Sequence, residues 1–429
     1  MKSLGAVGAM LEAAQGMARF HMPGHKGRLD PYDMTELART DDLYAPAHGI
    51  AEAERLGALA CGAAHSIMLT GGSTAGLLAM LLSSVPPGGR LILPRGAHHA
   101  ALSACVWGDF EVFFADDLIK AIAAHPDAHA VLVTRPDYYG HCDDLSAVVQ
   151  AAHAASMRVL VDEAHGAHFP WWIAPLSAGA LGADAWVQSA HKTLPALTGA
   201  AWLHLSAGMD APRARRILRM VQTSSPPFPI LRSLDEARAW MDIHGRDALE
   251  RLKSRLTALR DDIAALGGYA PLPTDDPTRL VIETRARGYT GMAVQTELAA
   301  QGVDVEMADD ARLVLICTVA DEPADFDRLL AALAALPPRP PLPPAQGFAL
   351  PPPGERVLSL RQAALSPQRL VPLEQAVGCI AAVGAGLYPP GVPWVLPGEI
   401  ITADCAQALA ALPADRRFGV ENGCLICTK

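Results

Sequence analysis

The stretch "RVLVDEAHGAHFPWWIAPLSAGALGADAWVQSAHK", Arg158 to Lys192, decides how this chain folds. It opens on a five-residue apolar run that ends in Asp162. It closes on a second run, "AWVQS" (185–189), that leads directly into His191 and Lys192. Short runs rich in Val, Ile or Leu, with polar residues held to their ends, are the pattern of strands buried on both faces. The same pattern recurs outward as "SIMLT" (66–70), "RLILP" (90–94), "AVLVT" (130–134) and "AWLHL" (201–205). Ala- and Leu-rich segments between them, such as "AGLLAMLLSS" and "LSAVVQAAHAAS", suit crossover helices. The fold class is therefore α/β, a mostly parallel sheet flanked by helices, and sheets of this kind receive ligands at the carboxyl ends of their strands.

Beyond this body, the charge and apolar spacing of 233–266 predict a long amphipathic helix. The runs "RLVIET" (279–284), "GVDVEMADDARLVLICT" (302–318) and "DFDRLLAALAAL" (325–336) then predict a smaller α+β unit. "PPRPPLPPAQGFALPPPGE" (337–355) reads as a semi-rigid linker. The expected division is 1–240 for an N-terminal segment and large domain, 241–336 for a small α+β domain, 337–355 for the linker and 356–429 for a C-terminal domain.

Composition narrows the function. A chain of 429 residues with 51% hydrophobic and 19% charged residues buries a large core without staples. A net charge of -10 and the lack of Lys/Arg clusters argue against a nucleic-acid partner. The uncharged runs Gly57 to Gly89 and Gln375 to Gly398 are long enough to cross a bilayer, but Gly and Pro interrupt both, so no membrane span is expected. Eight scattered cysteines suit reduced thiols in the cytoplasm. The close pair Cys424 and Cys427 has no second pair beside it, so it reads as two incidental thiols.

The polar clusters fall at the strand ends. "TGGSTAG" (70–76) leads from the first strand into a helix, where open N–H groups with Ser73 and Thr74 suit one phosphate, an ordinary Ser/Thr helix cap being the competing reading. It lacks the Gly-Lys-Ser/Thr ending of a nucleotide loop. In "VDEAHGAH" (161–168), Asp162 is placed to meet a cationic nitrogen, Ala164 is small enough for a flat ring to lie against, and His165 would face that ring. Asp162 as a helix cap is one alternative. A metal held by Asp162, His165 and His168, with help from "HMPGH" (21–25) or His98 and His99, is another, although no complete ligand signature supports it. Lysines are mostly solvated. Lys192, however, follows a buried strand, stands beside Ser189 and His191, and shares an edge with the cradle and the acid. An amine, an acid and a phosphate cradle together suit pyridoxal 5′-phosphate (PLP).

The motifs "FHMPGHKGR" (20–28), "DDLYAP" (41–46), "TGGSTAG", "RGAHHA", "TRPDYYG" (134–140), "VDEAHGAH", "QSAHKTLPALTG", "TSSPPFPILRSLDEAR" (223–238) and "YPPGVPWVLPGE" (388–399) resemble those of the Orn/Lys/Arg decarboxylase family. That family belongs to the aspartate-aminotransferase-like, fold type I PLP enzymes. The resemblance implies that Lys192 holds PLP as a Schiff base, that Asp162 pairs with the ring nitrogen and that His98 stacks on the ring. It also implies that Gly72, Ser73, Thr74, Ser189 and His191 hold the phosphate. It further implies a small-molecule basic amino acid as substrate, no structural metal, and a homodimer or larger homo-oligomer with sites near subunit interfaces. Lys192 or His191 would return the proton to Cα, and Glu399 and Asp42 are candidates for the substrate's distal cation.

The sequence departs from the family at His99-Ala100, where a Lys-Ser pair is usual, at Asp137 and at Gly199, and the chain is short. Three alternatives therefore stand beside decarboxylation of arginine, lysine or ornithine. They are another fold type I activity (aminotransferase, aldolase or α-oxoamine synthase), a metal-dependent hydrolase, and a non-catalytic binding protein that keeps the fold.

Overall fold

The computed structural model of the chain describes residues 5–172, 175–345, 350–388 and 391–429. Part of the linker, 346–349, and the Pro389-Pro390 step of the last resembling motif lie outside these residues. Helices α1 (Ala6–Ala13) and α2 (Gly49–Cys61) precede β1 (His65–Leu69). Alternation then sets in with α3 (Gly72–Ser84), β2 (Arg90–Leu93), α4 (His99–Gly108), β3 (Glu111–Phe114), α5 (Leu118–Ala124), β4 (Ala130–Thr134), α6 (Leu145–Ala154) and β5 (Arg158–Asp162). It ends with β6 (Ala185–Gln188), the single turn α7 (Ala190–Thr193), β7 (Ala201–Leu205) and α8 (Ala211–Val221).

These strands form one seven-stranded sheet in the order β1-β7-β6-β5-β4-β2-β3. The five strands from β6 through β3 are mutually parallel, and β7 runs antiparallel to both β6 and β1. Six strands therefore point the same way, and the ends of β1, β2, β4, β5 and β6 open on one edge, where β7 begins. The expected mostly parallel sheet is present. "EVFF" (111–114) adds an edge strand that carries too little apolar patterning to stand out in the sequence, with Glu111 exposed and both phenylalanines only half-buried.

Apolar clusters cover both faces. Ile67, Leu69, Leu91, Leu93, Leu132, Leu160, Val187 and Leu203 pack under α3, α4 and α8, while Ile92, Val131, Val133, Val159, Val161 and Trp186 pack under α5 and α6. Each fully buried side chain of this kind contributes about 1.5–3 kcal/mol. Gly76 lets α3 lie close on the sheet, since a Cβ there would stand 2.6 Å from Leu69 Cδ1 and 3.0 Å from Val187 Cγ1. Asp117, Asp144 and Asp210 cap α5, α6 and α8 by accepting backbone N–H bonds, and α3 has no side-chain cap.

Helix α9 (Phe228–Ala265) is continuous over 38 residues. Phe228, Leu231, Leu234, Met241 and Leu249 pack with α1, α2 and Trp202, whereas Leu252, Leu256, Leu259 and Ile263 belong to the core of the next unit. That unit holds the antiparallel sheet β10-β11-β9-β8, built from β8 (Ala270–Leu272), β9 (Arg279–Glu283), β10 (Met307–Ala308) and β11 (Arg312–Ile316), with α10 (Gly291–Ala300) and α11 (Pro323–Ala335). The expected boundary at 240/241 falls inside α9. The proline-rich segment is pinned where it begins, with Arg339 over the Tyr289 ring and Arg285 Nε donating to Pro343 O at 2.6 Å.

The last unit comprises α12 (Leu360–Leu365), β12 (Gln368–Pro372), β13 (Ala385–Leu387), β14 (Val392–Val395), α13 (Ala403–Ala411), β15 (Arg417–Phe418), β16 (Val420–Glu421) and β17 (Cys424–Thr428). Its sheets run β12-β17-β16 and β14-β13-β15. Among the described residues no helix is long and apolar enough to cross a membrane.

Glu399 ties this unit to the large sheet. Its carboxylate, with a side chain 5% exposed, accepts from Arg95 at 2.6 and 2.9 Å and from the Leu396 amide at 2.9 Å. Arg95→Ala strands that buried charge and is expected to destabilise the fold by about 3 kcal/mol, read as a lowered urea midpoint, with Arg95→Met/Glu399→Leu recovering part of the loss. An unchanged midpoint in the single variant contradicts the role given to this ion pair.

Candidate functional site

Lys192 lies in the single turn α7 at the carboxyl end of β6, and its side chain is half-buried. Its Nζ stands 3.1 Å from His165 Nε2, while the other ring nitrogen, Nδ1, stands 3.2 Å from Arg279 Nη2. A guanidinium can only donate, so Nδ1 is the acceptor and the ring proton sits on Nε2. The Lys192 nitrogen is then placed to accept that proton's hydrogen bond whenever it is unprotonated. The electrostatics agree: burial pushes the Lys192 pKa down and Arg279 adds to the effect, with Asp162 and Glu306 opposing. Burial, then Lys192 and Arg279, also hold His165 well below the ordinary imidazole value.

Asp162 ends β5 next to β6, and its pair partner across the strands is Val187. The side chain is buried. Oδ1 accepts from the Ala164 amide at 3.1 Å, and Oδ2 takes no hydrogen bond among the described residues. Burial raises its pKa, and the backbone bond and Lys192 pull it back. This is one carboxylate oxygen held ready for a cation, at the strand end next to the one that leads into Lys192.

The turn expected to cradle an anion lies where β1 meets α3. Ser189 Oγ donates to Ser73 Oγ at 2.7 Å, joining the end of β6 to the start of α3. Gly72 has φ +68°, a left-handed conformation that favours glycine, and its amide donates to Gly199 O at 2.9 Å. The first-turn amides of Ser73 and Thr74 lie at the positive end of a 13-residue helix without a side-chain cap. Gln222, at the end of α8, was not marked out by the sequence. Its Oε1 accepts from the Thr70 and Gly71 amides at 3.0 and 3.2 Å, and its buried Nε2 has no partner among the described residues.

His98 caps α4, its Nδ1 accepting from the Ala100 amide at 3.2 Å, and leans on His99 with ring centroids 4.0 Å apart. Burial, then His99 and Lys192, lower its pKa to about 4, so the ring is neutral. His191 Nδ1 donates to Ala200 O at 3.0 Å. Ala164 is buried.

Further residues enter from the α+β unit and from the loop after β4. Arg279 is fully buried, and among the described residues its Nε and Nη1 have no hydrogen-bond partner. Gly140 makes room for it, because a Cβ there would lie 2.7 Å from Arg279 Cβ. Tyr138 meets the His165 ring edge-on at 5.0 Å and donates its hydroxyl to Glu306, which is exposed. Neither Arg279 nor Glu306 carries a local motif. The one legible signal was Tyr138 within "TRPDYYG".

Other expected residues do not join the site. Glu399 is committed to Arg95, and Asp42 Oδ1 accepts from the Tyr44 amide at 2.7 Å. His168 is turned away, its Nε2 3.2 Å from Asp276, and His25 pairs with Asp33 at 2.9 Å. Among the described residues no three His, Cys, Asp or Glu side chains converge as a metal site would require.

Residues 103–271 match the family described as Orn/Lys/Arg decarboxylase, major domain, and residues 349–420 match the C-terminal domain of the same family. The uncharacterised protein YaaO of Bacillus subtilis (strain 168) is 33% identical, with 92% of this chain and 90% of that protein covered. An arginine decarboxylase of Halalkalibacterium halodurans is 32% identical, over 96% of this chain and 93% of its own length. Among solved structures, lysine decarboxylase A from Pseudomonas aeruginosa superposes with a TM-score of 0.83 at 18% identity, covering 99% of this chain and 80% of that one. At that identity the likeness concerns the fold, which is the fold type I α/β architecture expected from the sequence.

One property of the site's border is open to titration. Burial works against a charged Asp276, but His168, Arg279 and Thr278 outweigh it and hold its pKa down to about 2, below the unfolded value of ~3.9. Its contribution to stability is therefore complete above about pH 4 and is lost as the pH falls through 2. Asp276→Asn is expected to flatten the fall in urea stability over that window. A variant whose acid limb matches the parent's contradicts the assignment.

Proposed function

The chain belongs to the Orn/Lys/Arg decarboxylase family, and on that premise we propose that it removes CO2 from a basic amino acid at the site around Lys192, giving the corresponding amine, with PLP as cofactor. The observation that carries the reading is the meeting of a half-buried amine whose pKa burial lowers, a carboxylate with one free oxygen and a serine-lined helix start at one sheet edge. The residues fit the cofactor. Lys192 would hold its carbonyl carbon, Asp162 its ring nitrogen, Ala164 and His98 its two ring faces, and Ser73, Thr74, Ser189 and His191 its phosphate, with Gly72 shaping the turn.

Bound there, PLP supplies an electron sink for the pair left on Cα when CO2 departs. The chain's own groups do the rest. Asp162, shielded from water, stabilises positive charge on the ring nitrogen more strongly than a solvated carboxylate could. Burial, by lowering the Lys192 pKa, favours the unprotonated amine that acts as a nucleophile. Once released, Lys192 can take a proton and return it to Cα, with His165 Nε2 3.1 Å away to hold it in line. His191 is the less suited donor, because its Nδ1–H is engaged by Ala200 O. Arg279, buried with two unpaired nitrogens, is suited to orient the substrate carboxylate. Glu306, close enough to act on the charge of Lys192 and steadied by Tyr138, is suited to the distal cation, in place of Glu399 and Asp42.

Arginine is the proposed substrate, since relatives at 30–32% identity are named arginine decarboxylases. The test is CO2 release from arginine, lysine and ornithine, each product amine being identified. Arginine is expected to lead, Lys192→Ala to abolish turnover, and Glu306→Gln to raise KM about tenfold (~1.4 kcal/mol) with a smaller effect on kcat. Product keto acid without CO2 supports the aminotransferase alternative, and no turnover of any substrate supports a binding role.

A second copy of the chain is the proposed partner. Residues 16–47 form no helix or strand and display Phe20 at 95% and Leu29 at 85% exposure, apolar surface suited to a partner subunit. Light scattering is expected to give at least twice the 45.2 kDa chain mass, and a monomer contradicts this. The cytoplasm is the proposed location, supported by eight free thiols.

A further inference from the structure

The cysteine pair that is close in sequence is not the pair that is close in space. Cys424 and Cys427 are three residues apart on β17, so their side chains leave opposite faces of the strand. Cys427 instead faces Ala381 across an antiparallel bridge, with the Ala382 amide donating to Ile426 O at 2.9 Å and the Thr428 amide to Ile380 O at 3.0 Å. Cys379 lies two residues before Ala381 and therefore on the same face. On the other side of Cys427, Arg369 of β12 is its paired residue, and Arg369 Nη2 reaches over to donate to Cys379 Sγ at 3.7 Å. Cys379 is half-exposed and Cys427 fully buried. Burial, together with the neighbouring Cys379 thiol, pushes the Cys427 thiol up to about 11.

We propose that Cys379 and Cys427 form a reversible, hydroperoxide-responsive dithiol in the C-terminal unit, Cys379 being the sulfur that meets the oxidant and Cys427 the one that resolves it. In the first step Cys379 sulfur attacks one peroxide oxygen, the O–O bond breaks, and a sulfenic acid and one water form. In the second, the Cys427 sulfur attacks the sulfenyl sulfur, an S–S bond forms, and a second water leaves with the Cys427 proton. Two thiols are oxidised, one hydroperoxide is reduced, and a reductant reverses the change. The role of Arg369 is to hold Cys379 Sγ in place, oriented between solvent and Cys427.

The bond would close on a segment with structural reach. The Ile401 amide donates to Cys379 O and the Ala381 amide to Glu399 O, both at 2.9 Å, so this segment flanks the one that carries the Glu399–Arg95 ion pair. Arg95 lies three residues before His98. Oxidation is therefore expected to stiffen the attachment of the C-terminal unit to the loop that borders the site.

The proposal is independent of the decarboxylase reading, since it needs neither cofactor nor turnover. The full-length native protein is treated with hydrogen peroxide in slight molar excess, then denatured with alkylation and mapped by mass spectrometry. The expected result is loss of two of the eight titratable thiols, a peptide pair joining Cys379 to Cys427, and full reversal by dithiothreitol. Oxidation should also raise the Tm by a few degrees. Cys424→Ser should keep the cross-link, while Cys379→Ser and Cys427→Ser should each abolish it. A cross-link through Cys424, sulfinic acid at Cys379 beside a reduced Cys427, or eight thiols surviving treatment would overturn the proposal. The map of the parent protein decides the matter even if a serine variant fails to fold.

Discussion

Six strands running in one direction are the constraint on which the rest depends. A parallel sheet has an edge where all the strands stop, and here that edge collects Thr70 to Thr74, Arg95 to His98, Arg135 to Tyr139, Asp162 to His165 and Ser189 to Lys192. No local interaction could gather such distant residues. Burial of Val, Leu and Ile on both faces fixes the strands, and the strands fix the side chains to within the tolerance of a packed core. β7, which runs the other way, begins at the same edge and brings Gly199 and Ala200 to accept from Gly72 and His191.

Desolvation then gives the gathered groups their chemistry. In water Lys192 is a cation and Asp162 a screened anion. At the sheet edge, burial lowers the one and raises the other, while Glu306 holds the Lys192 pKa up and Arg279 pushes it further down. His165 is the hinge of this arrangement: because Arg279 fixes its tautomer, its second nitrogen can only donate to Lys192. The α+β unit thereby reaches into the large domain. Helix α9, continuous through both cores, is the rigid element that holds the two in register.

The sequence revealed most clearly what depends on short-range pattern. The apolar runs located five of the six strands that run one way, missing β3, and the residues that follow them placed Asp162, Ser189, Lys192 and the turn at Ser73 at strand ends, because a strand end and the turn after it are encoded together. The sequence was silent where a side chain acts from another unit. Arg279 reads as an ordinary charge opening the strand "RLVIE", and only its burial and unpaired nitrogens mark it out. Glu306 stands in a run of acids, and nothing local separates it from Asp304. Glu399 and Asp42 were plausible as free carboxylates until packing supplied Arg95 and a turn amide as their partners. Cys424-Leu-Ile-Cys427 suggested a pair by proximity, whereas strand geometry turns one thiol away and an isolated bridge brings in Cys379.

The most direct measurement of the central claim is covalent. The protein prepared with PLP is reduced with borohydride, digested and mapped by mass spectrometry. The account requires a pyridoxyl group on Lys192, in stoichiometric amount, with Lys26 and the other lysines unmodified. A stoichiometric label on any other lysine, or a holoprotein that takes up no label at all, contradicts the assignment of this strand edge as the reactive site.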